Sequence, residues 1–88
     1  MVKGLAVEMG QYGVRANMLT PGFIMTAMTA SSPEAKPVIE RMSAITPLGR
    51  PGEMADIEGP AAYLASDASR FHTGDILVLD GGRIVKSL

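Results

Sequence analysis

The residues able to do chemistry are few and scattered. They are one histidine, His72, a cluster of carboxylates at Glu53, Asp56 and Glu58, and a threonine, Thr26, shortly after a Pro21-Gly22 pair. An imidazole can shuttle protons or bind a metal, but His72 has no companion ligand near it in sequence, which predicts a surface or packing role. Paired carboxylates can act as general acid and base. Here they open a helical stretch, where the helix dipole stabilises negative charge, so a solvated helix face is the better reading. The Thr26 hydroxyl could simply cap a turn. A Pro-Gly break at the end of an apolar run is more suggestive, because glycine lets backbone groups approach a ligand closely.

These residues must be held by the elements around them. Val2, Leu5, Ala6 and Met9 fall on one face of a short helix, and Gly10 is placed to end it in a left-handed conformation. No capping residue precedes the helix, which leads us to expect that it continues from a longer element. Residues 14–20 read as a strand ended by Pro21-Gly22, and residues 23–33 as a loop. Val38, Met42 and Ile45 mark an amphipathic helix with Pro37 in its first turn. Residues 53–65 form another, burying Met54, Ile57, Ala61 and Leu64, with a kink expected at Gly59-Pro60. The run Ile76-Leu77-Val78-Leu79 fits a strand covered on both faces, as in a parallel sheet. Residues 83–88 read as a tail. Met9, Met18, Met42 and Met54 are expected to pack in the core, and Asn17 to satisfy backbone groups within the sheet. Met25 and Met28 could line a substrate.

The order helix, strand, helix, helix, strand implies a parallel pair joined by a right-handed crossover. Two such strands need neighbours to be stable. With 88 residues, 47% of them apolar and 19% charged, the chain is globular and bounded to one small domain. A net charge of −1 offers no footprint for nucleic acid or an anionic membrane. The absence of cysteine excludes disulfides and thiolate metal sites. No apolar run is long enough to span a bilayer and no signal peptide is evident, so a soluble, cytoplasmic protein is the default expectation.

Several segments, in order, resemble one family. Leu5-Ala6-Val7-Glu8, Gly13-Val14-Arg15-Ala16-Asn17 and Pro21-Gly22-Phe23-Ile24-Met25-Thr26 are similar to the end of a short-chain dehydrogenase/reductase. So are Pro47-Leu48-Gly49-Arg50-Pro51-Gly52-Glu53, Tyr63-Leu64-Ala65-Ser66-Asp67, Thr73-Gly74 and Asp80-Gly81-Gly82. Single pieces occur by chance, whereas the series at family spacing is specific. The resemblance implies that residues 1–88 are the C-terminal fragment of one Rossmann-like, doubly wound α/β domain, carrying its last two strands with crossover helices. It implies cofactor contacts for NAD or NADP at Pro21, Gly22, Ile24 and Thr26, with the Ile24 backbone on the nicotinamide carboxamide and the Thr26 hydroxyl reaching the carboxamide or pyrophosphate. Ligands in such sheets do sit beyond the carboxyl ends of the strands.

The resemblance also implies a mobile substrate lid over residues 27–46, an alcohol or ketone substrate, and a homo-oligomer joined through residues 53–65 and 75–80. The family's catalytic Ser and Tyr-x-x-x-Lys are not found: Tyr12 is followed four residues on by Ala16, and Tyr63 by Asp67. Lys3 has no tyrosine four residues before it and reads as a surface residue. Hydride transfer by this chain alone would lack a proton donor. The competing expectation is a non-catalytic oligomerisation or interaction module.

Overall fold

The computed structural model describes residues 1–26 and 31–86. Helix α1 spans Val2–Met9 and buries Val2 and Ala6. Gly10 does not stop the chain as expected. It stays in the right-handed region and enters a 3₁₀ turn over Gly10–Tyr12, and the left-handed residue is Gly13, at φ 75°. The tighter turn moves the stop by three residues to the next glycine that can adopt positive φ.

Strand β1 covers Met18–Pro21, shorter than the 14–20 expected and extended through the proline. Residues 16 and 17 are bound instead to the loop before the second strand. The Ala16 N–H donates to Thr73 Oγ1 at 3.0 Å, and the Gly74 N–H donates to the Ala16 carbonyl at 2.7 Å. Pro21 can belong to the strand because alternation turns its nitrogen away from the partner, so no ladder bond is lost.

Helix α2 spans Ala35–Ile45, and Pro37 sits at its third position, where a backbone N–H would have no intrahelical partner. Helix α3 spans Met54–Leu64 and remains one helix through Gly59-Pro60. Its start is fixed by the Asp56 carboxylate, which accepts the Glu53 N–H at 2.8 Å and closes the return arm of a capping box. A 3₁₀ turn at Asp67–Ser69 follows, and strand β2 is Ile76–Leu79. The expected tail is ordered as a short helix, α4, over Arg83–Lys86, and residues 87–88 lie outside the described residues. The signal for α4 was Asp80, whose carboxylate accepts the N–H groups of Gly82 and Ile84, each at 3.0 Å.

The two strands pair in parallel, Met18 opposite Ile76 through Pro21 opposite Leu79, as the helical crossover requires. One face of this ribbon carries Leu19, Leu77 and Leu79, all half-buried. Leu19 shares a groove with Ala61 and Leu64 of α3, and Leu79 shares a cavity with Met42 of α2. The other face carries Met18, Ile76 and Val78, which are 37%, 43% and 43% exposed. The strand expected to be covered on both faces is therefore covered on one. The same shortage of cover leaves Met54 and Ala61 exposed, whereas Ile57 and Leu64 are half-buried. Met9 and Met42 pack as expected, while Met18 and Met54 do not. Among the described residues the buried apolar side chains are Val2, Ala6 and Ala35, and no helix is long and apolar enough to cross a membrane.

Candidate functional site

At the carboxyl end of β1 the chain turns across the ribbon and lies against the segment before α3. The Gly22 N–H still donates to the Leu79 carbonyl at 2.9 Å. Phe23 and Met25 then clasp Gly52 from both sides: the Gly52 N–H donates to the Phe23 carbonyl and the Met25 N–H to the Gly52 carbonyl, both at 2.8 Å. In a parallel bridge of this kind the residue between the clasping pair turns its own N–H and C=O the other way. Ile24 is that residue, so its backbone donor and acceptor face away from the bridge. Its side chain fills the space beside Gly52, where an added Cβ would meet Ile24 Cδ1 at 2.5 Å.

Pro21, Gly22, Ile24 and Thr26 thus follow one another along one strand end, with Pro21, Gly22 and Thr26 exposed and Ile24 half-buried. The missing Gly22 side chain serves a neighbour within the fold: its place is taken by Asp80, alongside which the ribbon is closing. The lid expected over residues 27–46 is described only from residue 31. There the Ser32 hydroxyl donates to Glu34 at 2.7 Å and holds that carboxyl below its usual range. Residues 27–30, including Met28, lie outside the described residues.

Beneath Ile24 lies a cavity of about 240 Å³ bounded by Phe23, Met42, Leu48, Leu79 and the Arg50–Asp56 pair. Arg50 forks onto Asp56 with Nη1 to Oδ2 at 2.8 Å and Nη2 to Oδ1 at 3.1 Å. That fork, with the Glu53 N–H, holds the Asp56 carboxyl well below its ordinary 3.8, at about 2, and raises the Arg50 guanidinium. Asp56 is therefore a fixed anion that anchors the start of α3. The reading of the carboxylate cluster as a helix-start feature stands for Asp56, but its partner Arg50, six residues earlier, lay outside helical spacing and was missed.

A second polar cluster joins α3 to the loop before β2. The Tyr63 hydroxyl lies 2.9 Å from His72 Nδ1, and His72 Nε2 lies 2.7 Å from Asp75 Oδ2. The His72 bond, then the Ile76 N–H, keeps the Asp75 carboxyl below its usual range. Asn17 spans the same loop, donating to the His72 carbonyl at 2.8 Å and accepting the Asp75 N–H at 3.1 Å, the backbone-satisfying role expected of it. Arg15 donates to the carbonyls of His72, Leu64 and Ser66 at 3.0, 3.1 and 3.4 Å. Lys3 is at the surface, with Nζ 3.1 Å from the Gly74 carbonyl. Among the described residues no group of His, Asp and Glu side chains is arranged to hold a metal ion.

The loop crosses the carboxyl end of a parallel βαβ ribbon, the end at which ligands sit in open α/β sheets. A family model described as enoyl-(acyl carrier protein) reductase matches residues 1–83. The chain belongs to the short-chain dehydrogenase/reductase family. It is 40% identical over 85 residues to an L-rhamnose 1-dehydrogenase (NAD(P)(+)) of Azotobacter vinelandii, covering 97% of this chain and 33% of that one. It superposes on 2-keto-3-deoxy-D-gluconate dehydrogenase from Streptococcus agalactiae with a TM-score of 0.83 at 37% identity, over 98% of this chain and 35% of that one. It also superposes on a 4-hydroxyisoleucine dehydrogenase mutant complexed with NADH and succinate with a TM-score of 0.83 at 33% identity, over 96% and 35%. The chain spans about a third of the length of these relatives.

Proposed function

We propose that residues 1–88 are the C-terminal part of an NAD(P)-dependent oxidoreductase acting on an alcohol or ketone carbon, and that they supply the loop contacting the nicotinamide. The observation that carries this reading is the orientation of Ile24. A carboxamide has one acceptor and two donor hydrogens, and it pairs with a backbone N–H and C=O presented together on one edge. Ile24 presents both, held in place by the Phe23–Gly52–Met25 clasp. Pro21 and Gly22 set the height of that edge above the ribbon, and Thr26 places a hydroxyl further along it. When bound, the cofactor carries the hydride. This chain's residues orient the ring end and close the site through the segment over residues 27–46. The acid–base side chains of the family, Ser and Tyr-x-x-x-Lys, belong to the portion of the relatives that this chain does not match.

A chimaera joining this chain to the unmatched portion of the A. vinelandii L-rhamnose 1-dehydrogenase tests the reading. It is expected to reduce NAD or NADP with a sugar substrate, and Thr26→Ala is expected to lower kcat/KM by about tenfold, a loss of roughly 1.4 kcal/mol of transition-state binding. The 88-residue chain by itself is expected to give no turnover and no saturable cofactor binding in the micromolar range. A chimaera indifferent to Thr26→Ala, or turnover by the chain alone, would refute the assignment.

The bare Met18, Ile76 and Val78 face favours a second role alongside this one, as an association surface. Helix α3 and β2 are the elements through which copies of the whole enzyme are expected to join.

A further inference from the structure

Gly52 is held from both sides. Toward the Ile24 loop, its N–H donates to the Phe23 carbonyl and its carbonyl accepts the Met25 N–H, both at 2.8 Å. Each of these groups belongs to a peptide unit whose other pole is carried by a neighbour. The Pro51 carbonyl is the other pole of the Gly52 N–H, and the Glu53 N–H is the other pole of the Gly52 carbonyl. One ion pair takes both of these outer poles. Arg50 Nη1 donates to the Pro51 carbonyl at 3.0 Å, and Asp56 Oδ2 accepts the Glu53 N–H at 2.8 Å. The two side chains are in turn forked onto one another, at 2.8 and 3.1 Å.

A peptide unit is planar, so fixing one pole fixes the direction of the other. The Arg50–Asp56 pair therefore sets the direction of both groups with which Gly52 grips the loop. Glycine cannot supply that constraint itself, since without a Cβ its own backbone angles are the least restricted of any residue. A larger residue cannot replace it, because Ile24 Cδ1 fills the space. Regular structure does not supply it either: Gly52 precedes α3 and meets Ile24 only through an isolated bridge. Arg50 and Asp56 are both substantially exposed, so their pairing adds little to stability. Its consequence is geometric, and it falls on the backbone edge of Ile24.

We propose that Arg50 and Asp56 are positioning residues for the nicotinamide carboxamide, acting through the two peptide planes of Gly52 on the backbone edge of Ile24. The proposal rests on the reading of Ile24 as the carboxamide contact. It adds two side chains outside the loop at residues 21–26, and gives the pair a role beyond starting α3.

Calorimetry of the chimaera with NADH and with the reduced acetylpyridine analogue of NADH tests this. The analogue has a methyl in place of the carboxamide NH2 and cannot donate to the Ile24 carbonyl. The unaltered chimaera is expected to bind NADH about five- to tenfold more tightly, the worth of one hydrogen bond. Asp56→Asn sets an NH2 against the guanidinium and breaks the fork. It is expected to weaken NADH about fivefold and the analogue less than about twofold, removing most of the preference. Asp56→Glu is expected to restore it, because Glu at this third helical position also closes a capping box. In Asp56→Asn, amide exchange is expected to rise at Gly52 and Met25 and not at Gly22, whose N–H is bound to Leu79. Should Asp56→Asn not fold, Arg50→Lys decides, with the same selective loss expected: an ammonium keeps the charge without the planar fork. Unchanged NADH binding, equal weakening of both cofactors, or unaltered exchange at Gly52 and Met25 would overturn the proposal and leave the pair as a support of α3 alone. The functional reading fails separately: an unaltered chimaera that binds both cofactors equally would remove the carboxamide assignment of Ile24, while the exchange at Gly52 and Met25 still reports whether the pair holds the loop.

Discussion

Gly22 and Asp80 meet so closely that a Cβ on Gly22 would lie 2.7 Å from the Asp80 Cβ and 2.9 Å from its Cα. Both contacts are with atoms near the backbone, so no flexible side-chain tip can move aside. Asp80 is itself tied to Gly82 and Ile84 through both carboxylate oxygens. Gly22→Ala must therefore part the strands just where β1 hands over to the Ile24 loop. We expect a loss of about 1–3 kcal/mol, the usual range for an added methyl in a filled site. Urea unfolding of the chimaera checks it, and an unchanged midpoint would contradict the contact.

The Arg50–Asp56 fork gives a pH signature. Asp56 has a folded-state pKa of about 2, below its ordinary 3.8. A depressed carboxyl stabilises the fold above its unfolded pKa and loses that contribution as pH falls through the folded value. Thermal midpoints of the unaltered protein and of Asp56→Asn should thus differ by a constant amount from pH 7 down to near pH 4. The two should converge as pH falls toward 2. Both side chains are substantially exposed, at 51% and 39%, so the gap is small and shrinks further in salt. A gap that persists unchanged at the lowest pH would show that Asp56 acts otherwise.

Much of this arrangement was legible from local pattern. The apolar run at 76–79, the helices at 38–45 and 53–65, and the Pro21-Gly22 break are all short-range signals, and the structure has an element near each. The misses came from partners distant in sequence. Strand β1 starts at Met18 because residues 16 and 17 are claimed by Thr73, Gly74 and Asp75, more than fifty residues on. Tyr63, His72 and Asp75 come together only because α3 and the following turn fold back on one another. Burial was overestimated at Met18, Met54 and Val78 because periodicity states which face wants cover, not whether cover exists.

That uncovered face predicts self-association. Met18, Ile76 and Val78 form a contiguous apolar strip on the ribbon, and each aliphatic side chain gains roughly 1.5–3 kcal/mol on full burial. Val78→Lys puts a charge at one end of the strip, beside Ile76, without altering a hydrogen bond of the ladder. We expect it to weaken self-association of the 88-residue chain by at least about tenfold in sedimentation equilibrium, equivalent to about 1.4 kcal/mol. Equal association constants for the two chains would place the contact elsewhere.

Arg15 holds the other end of the ribbon. Its guanidinium donates to Leu64 and Ser66 at the carboxyl end of α3 and to His72 in the loop beyond, so one side chain ties three carbonyls from two segments. The last carbonyls of a helix have no intrahelical donors, and a cation there also meets the negative end of the helix dipole. Arg15→Ala removes all three bonds, while each carbonyl keeps another donor: Asn17 on His72, and the Ser69 hydroxyl on Leu64 and Ser66. Hydrogen bonds to a charged group contribute about 1.5–3 kcal/mol each when isolated, but these share one side chain and one loop and will not add. We therefore expect a loss of about 1–3 kcal/mol in the chimaera. Arg15→Lys should recover less than half of it, because a single ammonium cannot span the planar fork that reaches Leu64 and His72 together. The loop should also loosen selectively, with amide exchange rising at His72, Gly74 and Asp75 before it rises in α2. Full recovery by lysine, or uniform exchange across both regions, would show that Arg15 contributes only charge.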